Sequence, residues 1–322
     1  MAAAGGAEGV TLRVLIALAC TAGALAYQQP LVPWHPDYAT TLHDRPAYEA
    51  MAHGELTGHG PYSPRVGVPL LAGAAHRDGV PLWAAFLGIA VAGSIAAGLL
   101  VAQIVLETSG AEGNPIAVML AFYASAALVI PQLTDFWTVD AASLALLLWG
   151  ALCVVRWDRR GLLVAMVAGA LVKETALLLV PLAYGWWARR LVDWRIARRV
   201  ALLCAPGVAV LVALRLATGT GADALWYSVD LSREWYAGTD SARLAVHLLA
   251  GGGVLLPLAV IGARAQRDLI PRVAAFLVCV GAQLPFATSP ERVLIYGAPA
   301  LAILAGAVLL PQQEEDPCSR RC

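Results

Sequence analysis

Long apolar runs separated by short polar stretches make up most of this chain. The apolar runs cover residues 10–32, 80–106, 115–130, 139–155, 161–188, 200–217, 244–263, 273–286 and 293–310. A run of about 20 apolar residues predicts a helix that crosses a lipid bilayer. With the 161–188 run counted twice, the pattern predicts an all-α polytopic membrane protein with about ten transmembrane crossings.

The 161–188 run counts twice because a charged pair divides it. Lys173, the only lysine in the chain, and Glu174 stand between two uncharged stretches. Charged side chains at bilayer depth are costly, so they usually face a polar cavity and act there. Arginines flank the run at 156–160 and at 189–199. The positive-inside rule therefore places both of its ends in the cytoplasm.

These flanks predict a hairpin of two short helices with the charged pair at its outer turn. Each arm would reach about 18–20 Å, less than the bilayer thickness, so the turn lies at the floor of an extracytoplasmic cavity. The alternative is one kinked helix in which Lys173 and Glu174 form structural ion pairs. Sequence neighbours do not face each other on a helix, so each charge would then need another partner.

Polar residues gather in two predicted external loops, 34–78 and 219–243. The first is long and holds five of the six histidines. Its Tyr48, Ala52 and Leu56 are spaced four apart, which predicts a short helix on the membrane surface. The second contains aromatic residues that either stack on a sugar or a lipid head group or form an interfacial belt, namely Trp226, Tyr227, Trp235 and Tyr236.

The whole chain, 1–322, is predicted to be a single integral-membrane domain of the plasma (inner) membrane. Both termini are cytoplasmic, and 311–322 forms a cytoplasmic tail. Hydrophobic residues make up 59% of the chain and charged residues 14%, and the mean hydropathy is +0.69. Soluble domains carry about 25% charged residues, so the composition indicates a membrane protein. The zero net charge gives no reason to expect a nucleic-acid partner.

Cysteine and histidine spacing indicates neither a disulfide nor a metal site. No pair of cysteines falls in an external loop, and the loop histidines follow no helical or zinc-finger spacing. The frequent use of alanine, glycine and arginine is typical of a GC-rich bacterial coding sequence.

Three stretches together resemble the GT-C superfamily of membrane glycosyltransferases, whose donors are sugars linked to polyprenyl phosphate. Residues 43–54 are similar to the pattern that follows the first helix in that superfamily, an Asp, three residues, a Tyr, then an apolar–Ala pair and a Gly. His35-Pro36-Asp37 resembles the start of one mannosyltransferase branch, although Tyr38 stands where that branch has an acidic residue.

The other two stretches extend the resemblance over about residues 10–187. Residues 60–71 are similar to a Pro-Tyr, Arg, Pro-Leu-Leu run that leads into the second helix. Residues 138–184 contain Asp-Ala-Ala-Ser-Leu near their start, then a basic turn, and near their end Lys-Glu-Thr-Ala and Pro-Leu, which resembles the middle helices of the superfamily. The resemblance implies a GT-C-like fold.

The resemblance also implies a reaction: transfer of one sugar from a polyprenyl-phosphate carrier to an extracytoplasmic glycan or lipid acceptor. An inverting transfer needs a carboxylate to deprotonate the acceptor hydroxyl. The resemblance places this base in the first external loop, so Asp44 is the first candidate and Asp37 the second. No cofactor is required, although a divalent cation is a possible ligand.

Cations must also hold the departing phosphate. The candidates for this role are Lys173, Arg65 and Arg292, and Glu174 and Tyr62 belong to the same predicted donor site. Asp135, like Asp140, is a candidate for positioning a sugar hydroxyl or a divalent ion.

Each candidate also has a plain structural interpretation. Asp44 and Asp37 can be solvated loop carboxylates. Arg65 can form a surface ion pair with Glu49 or Glu55, and Arg292 can be an interfacial arginine that reaches toward water. Asp140 can equally be the N-terminal cap of a helix that begins at Ala141.

Two rival functions use the same residues. One is a lipid or anion transporter or flippase with its site at Lys173 and Glu174. The other is a non-catalytic membrane subunit with a GT-C-like fold. A transporter is expected to carry charges along its whole path, whereas here the cytoplasmic halves of the runs are uncharged up to their arginines. The pattern therefore favours an enzyme that faces outward.

Overall fold

The computed structural model describes residues 2–28, 44–57, 60–109, 114–125, 132–220, 232–234, 236–286 and 290–309, together with residues 129, 229 and 230. Every regular element within these ranges is a helix. The α-helices are α1 (Ala2–Gln28), α2 (Asp44–Ala52), α3 (Gly67–Arg77), α4 (Leu82–Ser109), α5 (Pro115–Ala124), α6 (Asp140–Val155), α7 (Arg159–Val172), α8 (Leu179–Trp187), α9 (Trp194–Ala217), α10 (Ser241–Gly252), α11 (Leu255–Ala265), α12 (Leu269–Gly281), α13 (Pro290–Leu294) and α14 (Ala298–Gly306). Short 3₁₀ helices cover Gly60–Tyr62, Glu174–Leu178, Leu284–Phe286, Ile295–Gly297 and Ala307–Leu309.

Three of the described helices are long and apolar enough to cross a membrane, namely the Gly9–Tyr27 part of α1, α4 and α9. The shorter apolar helices are Pro115–Ala124, Asp140–Val155, Leu255–Ala265, Leu269–Gly281 and Arg292–Gly306. The all-helical class is thus confirmed, and the apolar helices support the membrane assignment. The number of crossings stays a prediction.

Helix α6 lies at the centre of the bundle and packs against α4, α7 and α8. Small residues allow these backbones to approach closely: a side chain at Gly93 of α4 would meet the backbone of Ala141. Likewise, a side chain at Gly207 of α9 would meet the Met166 carbonyl of α7. Small residues at such contacts are typical of helices that pack within membranes.

The predicted hairpin is present as two short helices, α7 and α8, with Lys173 at the turn. Lys173 has an extended backbone (φ −164°, ψ 148°), which ends α7, and the 3₁₀ helix Glu174–Leu178 leads into α8. At the far ends of the two arms, the rings of Trp157 and Trp187 stack with centroids 5.2 Å apart. The alternative of one kinked helix is therefore wrong, because both arms return to the same end of α6.

The arginine-rich connections lie at the end of α6 opposite Lys173. Arg156, which follows α6, donates to Glu107 near the end of α4, with Nη2–Oε1 2.7 Å. A side chain at Gly306, the last residue of α14, would meet Ser109, and one at Gly185 of α8 would meet the Arg272 carbonyl. Because α6 has 16 residues, about 24 Å separate this end from Asp140.

The apolar run 244–263 does not form one continuous helix, although the sequence pattern predicted an uninterrupted run. It divides into α10 and α11 at Gly253, whose φ of +50° and ψ of −143° suit glycine. The amide of Leu255 donates to Ser125 Oγ at 3.3 Å, and Ser125 directly follows the neighbouring helix α5. Three consecutive glycines, 251–253, weaken the helix at this point. Hydrophobicity alone does not reveal such a break.

Part of the short helix predicted from Tyr48, Ala52 and Leu56 is present as α2, which ends at Ala52 and leaves Leu56 outside the helix. Tyr48 and Ala52 are buried, and the helix packs on α3 so closely that a side chain at Gly73 would meet the Ala52 carbonyl. The structure therefore fixes α2 against the helix bundle rather than leaving it as an independent surface helix.

Candidate functional site

A cluster of charged side chains occupies the end of α6 that carries Asp140. The Asp140 carboxylate is almost fully buried, with 4% of its side chain exposed. Its Oδ1 accepts from Lys173 Nζ at 2.5 Å and from the Tyr296 hydroxyl at 2.7 Å. Its Oδ2 accepts from Arg292, from Nε at 2.9 Å and from Nη2 at 2.6 Å. Two cations thus share one buried carboxylate.

The capping role considered for Asp140 is not found. Val139 holds the N-cap position of α6, without a side-chain capping bond, and Asp140 is the first residue of the helix. Its side chain turns instead to partners that come from the hairpin turn, from α13 and from the 3₁₀ helix that follows α13. Two fully charged donors attract the carboxylate more strongly than a backbone amide does, which explains why tertiary pairing prevails here.

Arg292 and Tyr296 reach Asp140 from the chain segment that precedes α14. They are four residues apart, a spacing that brings side chains to one face of a helical turn. The Tyr296 hydroxyl also accepts from Lys173 Nζ at 3.0 Å. With 34% of its side chain exposed, Arg292 still reaches the cluster's surface. The interpretation as a purely interfacial arginine is wrong, since Nε and Nη2 of Arg292 both bind a buried carboxylate.

A second ion pair joins Glu174 to Arg65, which lies between the first 3₁₀ helix and α3. Arg65 Nη2 lies 2.6 Å from Glu174 Oε1, and Nε lies 3.2 Å from Oε2. This is the parallel two-bond geometry that a guanidinium forms with a carboxylate or a phosphate. Arg65 Nη1 also approaches the Tyr48 hydroxyl at 3.5 Å.

Arg65 does not form the surface ion pair with Glu49 considered above. Glu49 binds Arg45, with Nε–Oε1 3.0 Å, one helical turn away on α2. Arg65 is largely buried instead, with 14% of its side chain exposed, and its guanidinium lies 5.7 Å from the centre of the Tyr62 ring. Tyr62 in turn packs edge-on against Tyr48, with ring centroids 5.8 Å apart.

The cluster therefore joins Lys173, Glu174, Arg65 and Arg292, all predicted for one donor site, from three distant segments. The partners of the charged dipeptide are now identified: Lys173 binds Asp140, and Glu174 binds Arg65. Within this set of described side chains, three cations face two carboxylates, an excess of one positive charge. Tyr296 was not predicted from the sequence, and its spacing of four from Arg292 is the only local signal that pointed to it.

Of the two candidates for the catalytic base, Asp44 and Asp37, the structure describes only the backbone of Asp44. Asp44 begins α2, one turn before Tyr48, whose hydroxyl contacts Arg65. The side chain of Asp44 and the whole of Asp37 lie outside the described residues. Asp135 lies five residues before Asp140, in the turn that leads into α6. Its carbonyl accepts from the Thr138 amide at 3.0 Å and hydroxyl at 2.9 Å.

The described residues offer no group of three or more His, Cys, Asp or Glu side chains arranged to hold a metal ion. Asp140, considered as a ligand for a divalent ion, has both oxygens engaged by positively charged or hydroxyl donors. A cation there would have to displace Lys173 or Arg292. Asp135 is the remaining carboxylate of the pair that was considered for this role.

Below the charged cluster, Ser143 of α6 and Thr175 of the hairpin share a buried hydrogen bond, with Oγ–Oγ1 2.7 Å. It joins the same two elements as the Lys173–Asp140 bond, one turn further along α6. The hairpin turn is therefore attached to α6 at two points, which holds its backbone in place.

The chain matches no protein-family model, no curated protein and no solved structure.

Proposed function

We propose that this protein is a membrane glycosyltransferase of the GT-C type, which transfers a sugar from a polyprenyl-phosphate carrier to an extracytoplasmic glycan or lipid acceptor. The observation that supports it is the convergence of Arg65, Lys173 and Arg292 at one end of the helix bundle. These cations come from positions far apart in the chain, yet hydrogen bonds and the Lys173–Glu174 peptide link join them in one cluster.

Such a cluster suits the leaving group of the proposed reaction. Guanidinium groups bind phosphate oxygens through two parallel bonds, and an ammonium adds a compact charge. Fixed cations stabilise the negative charge that the phosphate gains as the bond to the sugar breaks. Because the cations are fixed by Asp140, Tyr296 and Tyr48, little reorganisation is needed when that charge develops.

In the proposed step, Asp44 takes the proton from the acceptor hydroxyl while the hydroxyl oxygen attacks the anomeric carbon. The bond between the anomeric carbon and the phosphate oxygen breaks, and the electron pair leaves with polyprenyl phosphate. Asp37 is the second candidate for the base. The location of Asp44 at the start of α2, whose Tyr48 contacts Arg65, supports the first choice. No cofactor takes part in this step.

The proposal includes about ten crossings of the plasma (inner) membrane, with both termini in the cytoplasm. The charged cluster then faces the outside and the arginine-rich connections face the cytoplasm. Their location at opposite ends of α6, about 24 Å apart, supports this orientation.

Release of free polyprenyl phosphate tests the proposal. The purified protein in liposomes is given a panel of polyprenyl-phosphate sugars and a crude envelope extract as acceptor. We expect turnover in the parent and in Asp78→Asn, a matched control with an exposed carboxylate in the same loop. Asp44→Asn should lose about 10²–10⁴ in rate, the usual contribution of a general base. Full turnover in Asp44→Asn would move the base to Asp37.

One observation favours a second candidate, a non-catalytic membrane subunit with the same fold. The Asp140 carboxylate is saturated by four bonds, as in a purely structural network. Folded protein that releases no polyprenyl phosphate from any donor would support that candidate. Flux of lipid phosphate across the liposome without sugar transfer would instead support a flippase.

A further inference from the structure

Each cation of the cluster is bound to a carboxylate, so an incoming phosphate needs one of these carboxylates to give way. Asp140 is poorly suited to do so. It is 4% exposed and accepts four bonds from three residues. Removing it would leave two cations without their shared partner inside the protein, which is strongly unfavourable.

Glu174 has the opposite properties. Its side chain is 36% exposed, and the side chain that binds it is Arg65. Its backbone stands at the start of a 3₁₀ helix, directly after the extended residue Lys173. Because Lys173 is bound to Asp140 and Thr175 is bound to Ser143, the backbone on both sides of Glu174 is held. Its side chain can therefore rotate away without moving the hairpin.

Arg65, in contrast, stays in place when Glu174 leaves. Its guanidinium contacts the Tyr48 hydroxyl and the Tyr62 ring, and its side chain is 14% exposed. It presents Nε and Nη2 side by side toward the two oxygens of Glu174. A phosphate group offers two oxygens to the same pair of donors.

We propose that Glu174 occupies on Arg65 the position of a phosphate ester and is displaced from Arg65 when that ester binds. Glu174 is then a competitor carried by the protein itself, which keeps the largely buried Arg65 paired while the site is empty. The identity of the ester as a polyprenyl phosphate rests on the proposed function; the displacement does not.

Neutralising Glu174 tests this inference. Phosphate binding to the detergent-purified protein is measured by calorimetry, with inorganic phosphate and a short-chain polyprenyl phosphate as separate probes. In Glu174→Gln the competing charge is gone, so we expect Kd to fall by about tenfold, the change that 1.4 kcal/mol produces. Glu49→Gln, which removes the charge of the Arg45 pair on α2, is the matched control and should bind as the parent does.

The probes separate the two sources of phosphate. Tighter binding of both probes means that the phosphate group alone displaces Glu174, and tighter binding of polyprenyl phosphate alone means that the lipid is needed as well; both support the displacement. Equal or weaker binding of both probes in folded Glu174→Gln would overturn it. If that variant does not fold, Glu174→Asp serves instead, since its shorter side chain holds Arg65 less well and should also bind phosphate more tightly.

This outcome is independent of catalysis. Tighter binding in Glu174→Gln, without release of polyprenyl phosphate by the parent, would support the displacement and contradict the glycosyltransferase proposal. Turnover by the parent with unchanged phosphate binding in Glu174→Gln would support the glycosyltransferase proposal and contradict the displacement.

Discussion

Lys173 Nζ lies 2.5 Å from Asp140 Oδ1, and this bond ties the turn of the α7–α8 hairpin to the first residue of α6. Both side chains are largely buried, at 12% and 4% exposure. A buried ion pair is not by itself a large source of stability, because each charge loses its hydration. Its effect is to fix where the hairpin turn stands, and with it Glu174 and the cations of the cluster.

Replacing Asp140 with Asn should strongly destabilise the protein. The substitution leaves Lys173 and Arg292 without their shared carboxylate, and breaking a buried pair by removing one partner costs about 3–5 kcal/mol. The free energy of unfolding, measured by equilibrium unfolding in mixed detergent micelles, checks this value.

The control is Asp268→Asn, which removes a surface carboxylate. Asp268 is 70% exposed and lies 3.9 Å from Arg272, so its loss should change the free energy of unfolding by no more than about 0.5 kcal/mol. Equal effects of the two substitutions would mean that the Asp140 network does not hold the fold together.

The loss in Asp140→Asn should shrink when Lys173 is also replaced by Met. The double variant removes both members of the buried pair, so its destabilisation should be smaller than the sum of the single effects by about 1–3 kcal/mol. The same unfolding measurement on the four proteins of the cycle gives this coupling. As a reference, Asp140→Asn combined with Asp268→Asn should be additive within about 0.3–0.5 kcal/mol. Additivity in both pairs would contradict a direct Lys173–Asp140 interaction.

Much of the helical organisation was predictable because its causes are local. The run 139–155 became α6, Asp140–Val155, and the charged dipeptide between arginine-rich flanks predicted the hairpin. The cost of placing a charge in a bilayer depends on the residue type and on its position within the apolar run, and both can be read from the sequence. The break at Gly253 was missed because the apolar pattern continues across it.

The pairing within the cluster was not predictable. Glu174 binds Arg65 across 109 positions, and Arg292 binds Asp140 across 152 positions. Such contacts depend on how the helices pack, which no local pattern encodes. Asp140 shows the limit most clearly: its position before an apolar run suggested a helix cap, and the packed structure gives it two buried cations instead.

Replacing Gly73 with Ala should loosen α2 from α3. The new methyl group would meet the Ala52 carbonyl at the end of α2, and overpacking of this kind costs about 1–3 kcal/mol. Because α2 carries Asp44 and Tyr48, we also expect slower release of polyprenyl phosphate. The free energy of unfolding and the rate of release are measured together.

Gly88→Ala is the control for this substitution. A side chain at Gly88 meets nothing within 4 Å inside α4, and alanine favours a helix over glycine by up to about 1 kcal/mol. This variant should be as stable as the parent or more so, with unchanged turnover. A Gly73→Ala protein that behaves like Gly88→Ala would contradict the close packing of α2 on α3.

Opposite ends of the bundle should be accessible from opposite sides of the membrane. Glu55, in the first loop, and Leu191, in the arginine-rich connection after α8, are both exposed, Leu191 to 94%. In a background without the six native cysteines, Glu55→Cys should react with a membrane-impermeant maleimide in intact cells. Leu191→Cys should react only after the cells are opened, because arginine-rich connections stay in the cytoplasm. Opened cells, in which both variants must react, provide the control. The reverse pattern would turn the charged cluster toward the cytoplasm and remove the proposed access to an extracytoplasmic acceptor.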